Sequence, residues 1–338
     1  MTKKLLFSLL FVFVSAFVLA QDIHFSQFNN SPQNLNPALA GVFNGDYRIV
    51  ANHKNQWRTV PVAYKTYCIS ADAKLPLKLK HDFICAGILL NNDKSGDGAF
   101  RSNQAAVTVA YIKKLNSDST SFLSIGVQPS IISKGFTLSK LSFDNQFNGD
   151  SYNSNISSGE DFSSTKINYF DASVGANWLL LFGKHSSVDL GFAYSHLNKT
   201  NQSFFSDKII STVPKSTFHA GAVLDLANKF ELCPSVLFQK QGKYQEVVVG
   251  SFAKFIFDTD YDTKKTFSIG VFSRLKDAFI AAALLDYNRF QFGLSYDVNT
   301  SGFKSATNGL GGFEFSVIYI MKRFVPVHAN KILCPVYL

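Results

Sequence analysis

Residues 290–297 read Phe-Gln-Phe-Gly-Leu-Ser-Tyr-Asp, so large apolar side chains alternate with small or polar ones. Successive side chains of a β-strand point to opposite faces, which gives this stretch one apolar face and one small or polar face. The stretches 188–195 and 218–226 alternate in the same way. A membrane strand between lipid and a polar lumen has this pattern, and so does a soluble sandwich strand with its apolar face inward. Alternation alone leaves both architectures open.

Working outward from these stretches, period-two patterns extend over 46–323 and predict about fourteen strands, most of them as long as the ~9–11 residues of a tilted membrane strand. The predicted strands lie near 46–57, 64–74, 82–91, 100–113, 121–132, 167–182, 187–197, 216–227, 229–239, 244–257, 265–274, 278–287, 289–298 and 310–323.

The connections between these strands differ in length. Long polar connections follow odd-numbered strands, whereas tight turns follow even-numbered ones, with 75–81 and 258–264 as longer exceptions. Outer-membrane barrels have short periplasmic turns and long external loops, and a soluble sandwich has no reason to sort its loops in this way. We therefore expect an all-β, transmembrane outer-membrane β-barrel of about 14 antiparallel strands over 46–323. The long connections are 92–99, 133–166, 198–215 and 299–309, and the tight ones are 183–186, 228 and 288.

The first twenty residues have the pattern of a secretion signal. Lys3 and Lys4 precede an apolar run, and small residues precede Gln21. The run is short for a membrane helix, so we expect a cleaved signal peptide over 1–20 rather than an uncleaved anchor. The segment 21–45 is rich in Asn, Gln and Pro without periodicity, and we expect a periplasmic or plug segment there. Residues 324–338 are expected to form a periplasmic tail.

The charge and composition of the chain limit the classes of partner and site that we expect. The formal charge of +9 falls to about +7 when the two lysines of the signal leave. Secretion argues against nucleic acid as a partner, and the basic residues are scattered, so anionic outer-membrane lipid or an acidic protein is a better fit. No C-x-x-C pair occurs among the four cysteines, which argues against a zinc ribbon or a thioredoxin-like site.

Motifs for catalysis and metal binding are missing from the sequence. It contains no G-x-x-x-x-G-K-[ST], H-E-x-x-H or G-x-S-x-G, and its histidines lack ligand spacing. The stretch 93–98 resembles the start of a calcium loop, but Gln104 stands where an EF-hand needs a bidentate Glu, and a hairpin loop explains the same residues. The stretch 258–262 lacks both the Gly and the Glu. We expect no metal, cofactor or small-molecule substrate.

Charged residues on the presumed inward faces are candidates for the barrel interior. Facing lipid near the midplane, each would cost a few kcal/mol, so they should point into the lumen. Opposite signs could pair there and close the interior, or they could line an ion-selective pore. These residues are Asp171, Asp189, Asp225, Arg274, Arg289, Asp297 and Glu314.

Several short sequence motifs, taken in their order, resemble the PorP/SprF family of Bacteroidetes outer-membrane proteins over essentially the whole mature chain. No single motif is diagnostic, but the order and spacing of the motifs together are specific. The motifs are Phe25-Ser26-Gln27-Phe28, the stretch 34–41 (NLNPALAG), Asn55-Gln56-Trp57, Ser195-His196-Leu197-Asn198, Gln202-Ser203-Phe204, Ser295-Tyr296-Asp297-Val298, Asn308-Gly309, the stretch 313–319 (FEFSVIY) and Cys334-Pro335.

This resemblance implies a β-barrel associated with type IX secretion and gliding motility, located in the cell outer membrane. It implies partners among the other secretion and gliding proteins and, for some members, a large surface adhesin. The family brings no catalytic residues to carry over. The ending Cys-Pro-Val-Tyr-Leu departs from the basic and aromatic ending that is more usual in the family. An outer-membrane transporter or porin-like channel is the alternative, and an outer-membrane enzyme is a third hypothesis without a Ser/His/acid arrangement to support it.

The segment before the first strand contains residue types that a simple leader does not need. Asn and Gln side chains both donate and accept hydrogen bonds, so they can satisfy irregular backbone in a partly buried site. Pro37 fixes one backbone dihedral and Gly41 frees another, which suits a defined turn. We predict a docked plug or partner-binding segment, against the alternative of a periplasmic leader. Its candidate residues are Phe25, Ser26, Gln27, Asn34, Asn36, Pro37 and Gly41.

Overall fold

The structure is a computed structural model. The predicted signal peptide, the predicted tail with Cys334, and Trp57 lie outside the described residues. The described residues are 22–56, 64–75, 82–96, 98–183, 185–206, 209–258, 265–301 and 309–322.

Antiparallel strands form one closed barrel in which each strand pairs with its neighbours in sequence, and the last strand pairs with the first. At this seam Lys54 lies opposite Glu314. The predicted all-β barrel of 14 strands is confirmed. The strands are β1 (Tyr47–Gln56), β2 (Tyr64–Lys74), β3 (Phe83–Ser95), β4 (Phe100–Lys114), β5 (Ser121–Gly135), β6 (Lys166–Phe182), β7 (Ser186–Ser195), β8 (Lys215–Ala227), β9 (Phe230–Gln241), β10 (Tyr244–Asp258), β11 (Lys265–Arg274), β12 (Ala278–Tyr287), β13 (Phe290–Asn299) and β14 (Leu310–Met321).

The two faces of the wall are opposite in character to those of a soluble sandwich. On β11, Ile269 and Val271 point outward and are 52% and 63% exposed, whereas Ser268, directly before Ile269, points inward and is 3% exposed. The same order holds on β13, where Leu294 is exposed and Ser295 is buried. An apolar outer belt around a polar interior is the arrangement of a barrel in lipid.

The two ends of the barrel differ. The connections 136–165 and 196–214 lie at one end, which we call the long-loop end, and 183–185, 228–229 and 288–289 lie at the other, the short-turn end. The two long loops pack on each other, because the ring of Phe136 lies 5.1 Å from that of Phe162 and 5.0 Å from that of Phe204. Long loops mark the extracellular side of outer-membrane barrels.

Loop length does not follow strand parity everywhere. The connections 242–243 and 275–277 also lie at the long-loop end and are short. The expected long loop 92–99 is reduced to 96–99, because β3 continues to Ser95. Polar cross-strand pairs sustain this extension, as when Asn92 donates to Asn103 over 2.5 Å. The alternation of apolar residues ends before the hydrogen-bonded ladder does.

Among the described residues, helical structure is confined to single turns. The segment before β1 contains a short helix, α1 (Pro32–Leu35), between two 3₁₀ turns, Phe28–Asn30 and Pro37–Leu39. Two more 3₁₀ turns, Leu138–Lys140 and Asp144–Gln146, lie in the long loop after β5. Within the described ranges no helix is long and apolar enough to cross a membrane.

The outward belt gives a depth-dependent stability prediction. Replacing Val271, which lies in the middle of an outward face, by Arg should destabilise the barrel by about 2–4 kcal/mol, because the cation would face hydrocarbon. The same change at Leu226, close to the short-turn end of β8, should cost about 0–1 kcal/mol. Urea titration of folding into lipid vesicles measures both. Equal losses at the two positions would contradict the membrane orientation.

Candidate functional site

Residues 22–45, which we call the lumen segment, cross the inside of the barrel from one end to the other. At the long-loop end the carboxylate of Asp22 lies 2.8 Å from His196 Nε2 and 3.0 Å from Lys215 Nζ. At the short-turn end, directly after the segment, the backbone N–H of Asp46 donates to the carbonyl of Met321 over 2.9 Å. From Asp22 among the long loops, the described chain therefore runs down the lumen and enters β1 at the opposite end.

Local sequence explains the turns of the lumen segment. Pro32 and Pro37 occupy the first positions of α1 and of the following 3₁₀ turn, where a missing N–H costs nothing. Asn36 caps the second turn, since its side-chain oxygen accepts from the N–H of Ala38 over 2.9 Å. Gly41 adopts φ +79°, a conformation that glycine reaches without strain. These residues set a compact path that fits within the lumen.

A cluster of charges holds the start of the segment at the long-loop end. His196 lies between two carboxylates, 2.8 Å from Asp22 and 2.9 Å from Asp171. Burial opposes the charged imidazole, but Asp22 and Asp171 outweigh it and raise the pKa of His196 to about 9. Burial would raise the pKa of Asp22, but Lys215 and His196 lower it well below its usual range. Asp22 and His196 are therefore both charged at neutral pH.

This cluster predicts a pH dependence. The pKa of His196 is higher in the folded protein than the ordinary 6.5, so its contribution is complete below about pH 6.5 and is lost as the pH rises to about 9. The loss should be on the order of 3 kcal/mol. Thermal unfolding, followed by heat-modifiable gel migration, should show a lower Tm at pH 9.5 than at pH 6.5. In the variant His196→Gln this difference should shrink, and an unchanged difference would contradict the assignment.

In the half of the lumen toward the long loops, wall charges bind the backbone of the segment. The carboxylate of Glu314 accepts from the N–H groups of Ser26 and Gln27 at 2.8 and 3.0 Å. The Ser26 hydroxyl donates to Asp297 over 2.7 Å and accepts from Arg274 Nη2 at 2.9 Å. Lys54 Nζ donates to the same hydroxyl at 3.1 Å. All four wall groups are buried, so each needs polar partners inside the barrel, and Ser26 and Gln27 supply some of them.

Midway along the lumen the contacts are between uncharged polar groups. The side-chain oxygen of Gln33 accepts from Thr108 over 2.9 Å, and its backbone carbonyl accepts from Gln128 over 3.2 Å. Asn34 and Asn91 exchange hydrogen bonds between their side chains. Such amides can satisfy both the irregular backbone and the wall.

Glycines in the wall make room for the segment. A Cβ built at Gly175 would lie 1.9 Å from Asn36 Oδ1, and one built at Gly126 would lie 2.5 Å from the carbonyl of Pro37. Both are shorter than any tolerated contact, so only glycine admits this close approach. The wall is thus shaped to this particular segment.

At the short-turn end an ion pair fixes the exit of the segment. Arg48 Nη2 lies 2.8 Å from Asp72 Oδ2 and also donates to the carbonyl of Leu39 over 3.0 Å. The same oxygen, Asp72 Oδ2, also accepts from the N–H of Gly41 over 2.7 Å. The segment is therefore anchored at both ends and along its length.

A cavity of about 850 Å³ remains beside the segment toward the short-turn end. Residues of the wall strands β1 to β10 line it together with residues of the lumen segment. Leu179, Leu181, Val223 and Phe252 supply much of its apolar lining, and Asn177 lies deeper. The lumen is thus occupied but not filled.

The structure brings most of the predicted site residues together in the lumen. Ser26, Gln27, Arg274, Asp297 and Glu314 form one connected cluster. The remaining predicted plug residues also lie in the lumen, where Phe25 packs against Leu89, and Asn34, Asn36, Pro37 and Gly41 make the contacts described above. Asp171 binds His196, and the Asp189 carboxylate lies 3.4 Å from His219.

Two of the predicted lumen charges do not lie in the interior. Arg289 is exposed in the turn 288–289, outside any strand, because β13 begins only at Phe290. Asp225 keeps the inward parity of β8 but is exposed close to the end of that strand. Sequence reasoning also missed several residues of the site, although inward parity on β1 and β2 could have found Lys54, Arg48 and Asp72. The missed residues are Asp22, Arg48, Lys54, Asp72, His196 and Lys215.

No metal site accompanies these charges. In the part of the chain that the structure describes, no group of three or more His, Cys, Asp and Glu side chains is placed to hold an ion. The site can bind and hold chain segments through hydrogen bonds and ion pairs.

The barrel is similar in fold to solved outer-membrane transporters. The toluene transporter TbuX of Ralstonia pickettii has a TM-score of 0.50 at 9% identity, covering 86% of this chain and 92% of that one. The toluene transporter TodX of Pseudomonas putida has a TM-score of 0.50 at 7% identity, covering 88% and 94%. At such identities the likeness concerns the fold alone. Comparison with curated proteins gave no significant match.

A family model identifies the chain more closely than these structures do. The model described as "Type IX secretion system membrane protein PorP/SprF" matches residues 18–319, which include the lumen segment and nearly all of the barrel. Together with the closed outer-membrane barrel, this match places the protein in the outer membrane. The chain belongs to the PorP/SprF family of type IX secretion system membrane proteins.

Proposed function

We propose that this protein is a non-enzymatic component of the type IX secretion and gliding machinery. In this role it binds protein partners at the outer membrane and assists the export or surface anchoring of an adhesin. Family membership supports the secretion role. The lumen segment is the observation that carries the binding role. A barrel that holds its own chain along its whole lumen is suited to presenting surfaces at its ends rather than to conducting solute.

The cap formed by the two long loops is the surface that we assign to a partner. Ile209 is 84% exposed there, and Phe147 and Tyr152 are 56% and 49% exposed. Apolar and aromatic side chains exposed together at the end of a membrane protein mark an interaction surface. The phenylalanine contacts below them keep the cap in one shape.

A crosslinked pull-down from outer membranes tests this role. Tagged wild-type protein should recover other type IX secretion proteins after crosslinking and detergent extraction. The variant Ile209→Glu should recover less, since a charge at the cap weakens apolar contact, whereas Leu115→Glu, an equal change on an exposed Leu at the short-turn end, should not. A strain without the protein should fail to display its adhesin. Normal secretion and gliding in that strain would contradict the proposal.

A transporter is the second candidate function, and the cavity of about 850 Å³ beside the lumen segment favours it. Transport needs a continuous path past the segment. Large steady currents from the intact protein in planar bilayers would support a transporter, and the absence of such currents would support the secretion component.

A further inference from the structure

The cavity at the short-turn end has an apolar entrance. Leu181 and Ser187 lie next to the turn between β6 and β7, and Val223 lies toward the same end of β8. Phe122 and Leu179 continue the lining inward. Its volume of about 850 Å³ falls in the range of small-molecule sites, ~300–1,000 Å³.

The inner end of the cavity is polar. Asn177, Gly191 and His219 lie in one row across three neighbouring strands. His219 has partners on both ring nitrogens, since Nε2 lies 3.1 Å from Asn36 Nδ2 and Nδ1 lies 3.4 Å from Asp189. Gly191 leaves room for this imidazole, because a Cβ there would lie 1.9 Å from Nε2. The imidazole is therefore held in place between the wall and the lumen segment.

Asn177 is different from its neighbours. It is 2% exposed, yet neither its side-chain N nor its side-chain O has a hydrogen-bond partner. Among the described residues, it is the one side chain in which two buried polar atoms, a donor nitrogen and an acceptor oxygen, both lack partners. A buried polar group without a partner is unfavourable, because it has lost its hydrogen bonds to water and gained none in the protein. A carboxamide with both groups free is complementary to another amide, which offers one acceptor and one donor.

The charged groups of the lining already have polar partners. Arg48 is paired with Asp72, Asp189 lies beside His219, and Lys74 donates to the carbonyl of Phe43 over 2.7 Å. A charged ligand would therefore lose its water without gaining a counter-ion at Asn177. The lining favours an uncharged ligand.

We propose that this cavity binds an uncharged, mainly apolar molecule that carries one amide group. The amide pairs with the side chain of Asn177, and the apolar part extends past Leu179 and Phe122 toward the short-turn end. The site is separate from the cap assigned to protein partners, so it does not rest on the secretion role.

Equilibrium dialysis of the full-length protein in lipid nanodiscs tests the proposal, with octanamide as the probe and empty nanodiscs as the partition control. Octanamide should bind saturably, and octanoate should bind at least tenfold more weakly because it is charged. Asn177→Leu should weaken octanamide binding about tenfold, by removing two hydrogen bonds. Val223→Phe should weaken it by filling the cavity, whereas Val271→Phe, the same change on the lipid-facing wall, should leave it unchanged.

A second measurement keeps Asn177 and Val223 unchanged, so its result does not depend on whether the variants at these positions fold. Cys233 lines the cavity, whereas Cys68 and Cys85 are buried away from solvent. Octanamide should slow the labelling of Cys233 by an apolar maleimide several-fold, with Cys233→Ser as the blank. Binding no greater than in empty nanodiscs, or labelling that octanamide leaves unchanged, would leave a cavity that holds water only and would overturn the proposal. Equal binding of octanoate would also overturn it.

Discussion

Deleting residues 22–40 while keeping the signal peptide should convert a barrel that does not conduct ions into a conducting pore. The wild-type protein should show little or no conductance in planar bilayers, because the lumen segment crosses the interior and binds the wall through Glu314, Gln128 and Asp72. The wall strands pair with one another and not with the segment. The barrel should therefore still insert, with an open and charged lumen that passes ions.

A matched deletion makes this result specific. Removing an equally long stretch of the cap, 142–160, should leave the conductance at the wild-type level, since the lumen segment stays in place. Heat-modifiable migration on gels reports whether each variant folds. A deletion of 22–40 that folds and remains silent would show that the segment does not close the lumen. The same variant should fail to support secretion if the segment also contributes to partner binding.

Replacing Arg274 by Met should destabilise the protein by about 3–5 kcal/mol, the largest effect that we expect from a single substitution. Its guanidinium lies 3.1 Å from Asp297, 3.8 Å from Glu246 and 2.9 Å from the Ser26 hydroxyl. Asp297 and Glu246 are 2% and 3% exposed, so the substitution would leave two carboxylates buried without this cation. The urea midpoint of unfolding from vesicles measures the loss.

A double variant separates charge from packing. Adding Asp297→Asn to Arg274→Met removes one of the uncompensated charges and should recover part of the lost stability. The variant Arg101→Met, at an exposed position on β4, should change the midpoint little. If the double variant were less stable than Arg274→Met alone, the hydrogen bond that the Asp297 carboxylate accepts from Ser26 would outweigh the cost of its uncompensated charge.

The barrel could be predicted from the sequence because each strand carries its own evidence. Alternation in 290–297 assigns one face to lipid without any knowledge of distant residues, and the tight turn at 288–289 shows where the chain reverses. Strand ends were less well predicted. On β3 and β5 the ladder extends past the last apolar residue, since polar side chains such as Asn92 pair across strands outside the lipid belt.

The site could be predicted only in part, because its contacts join distant positions. Ser26 and Glu314 are 288 residues apart in the chain, and no local period relates them. Inward parity suggested Arg274, Asp297 and Glu314, and unusual composition suggested the segment. The path of the segment could not be foreseen. Its direction follows from the ion pairs of Asp22 with His196 and Lys215, which only the folded barrel brings together.

That path has a consequence for assembly. The lumen segment passes through the closed barrel, with Asp22 at one opening and Asp46 at the other. The simplest order of folding places residues 22–45 first, lets the growing sheet curl around them, and joins β1 to β14 last. In this order the N-terminal segment acts as a template on which the wall closes. A peptide tag placed directly before Asp22 would then emerge among the long loops, on the side opposite to the entry into β1.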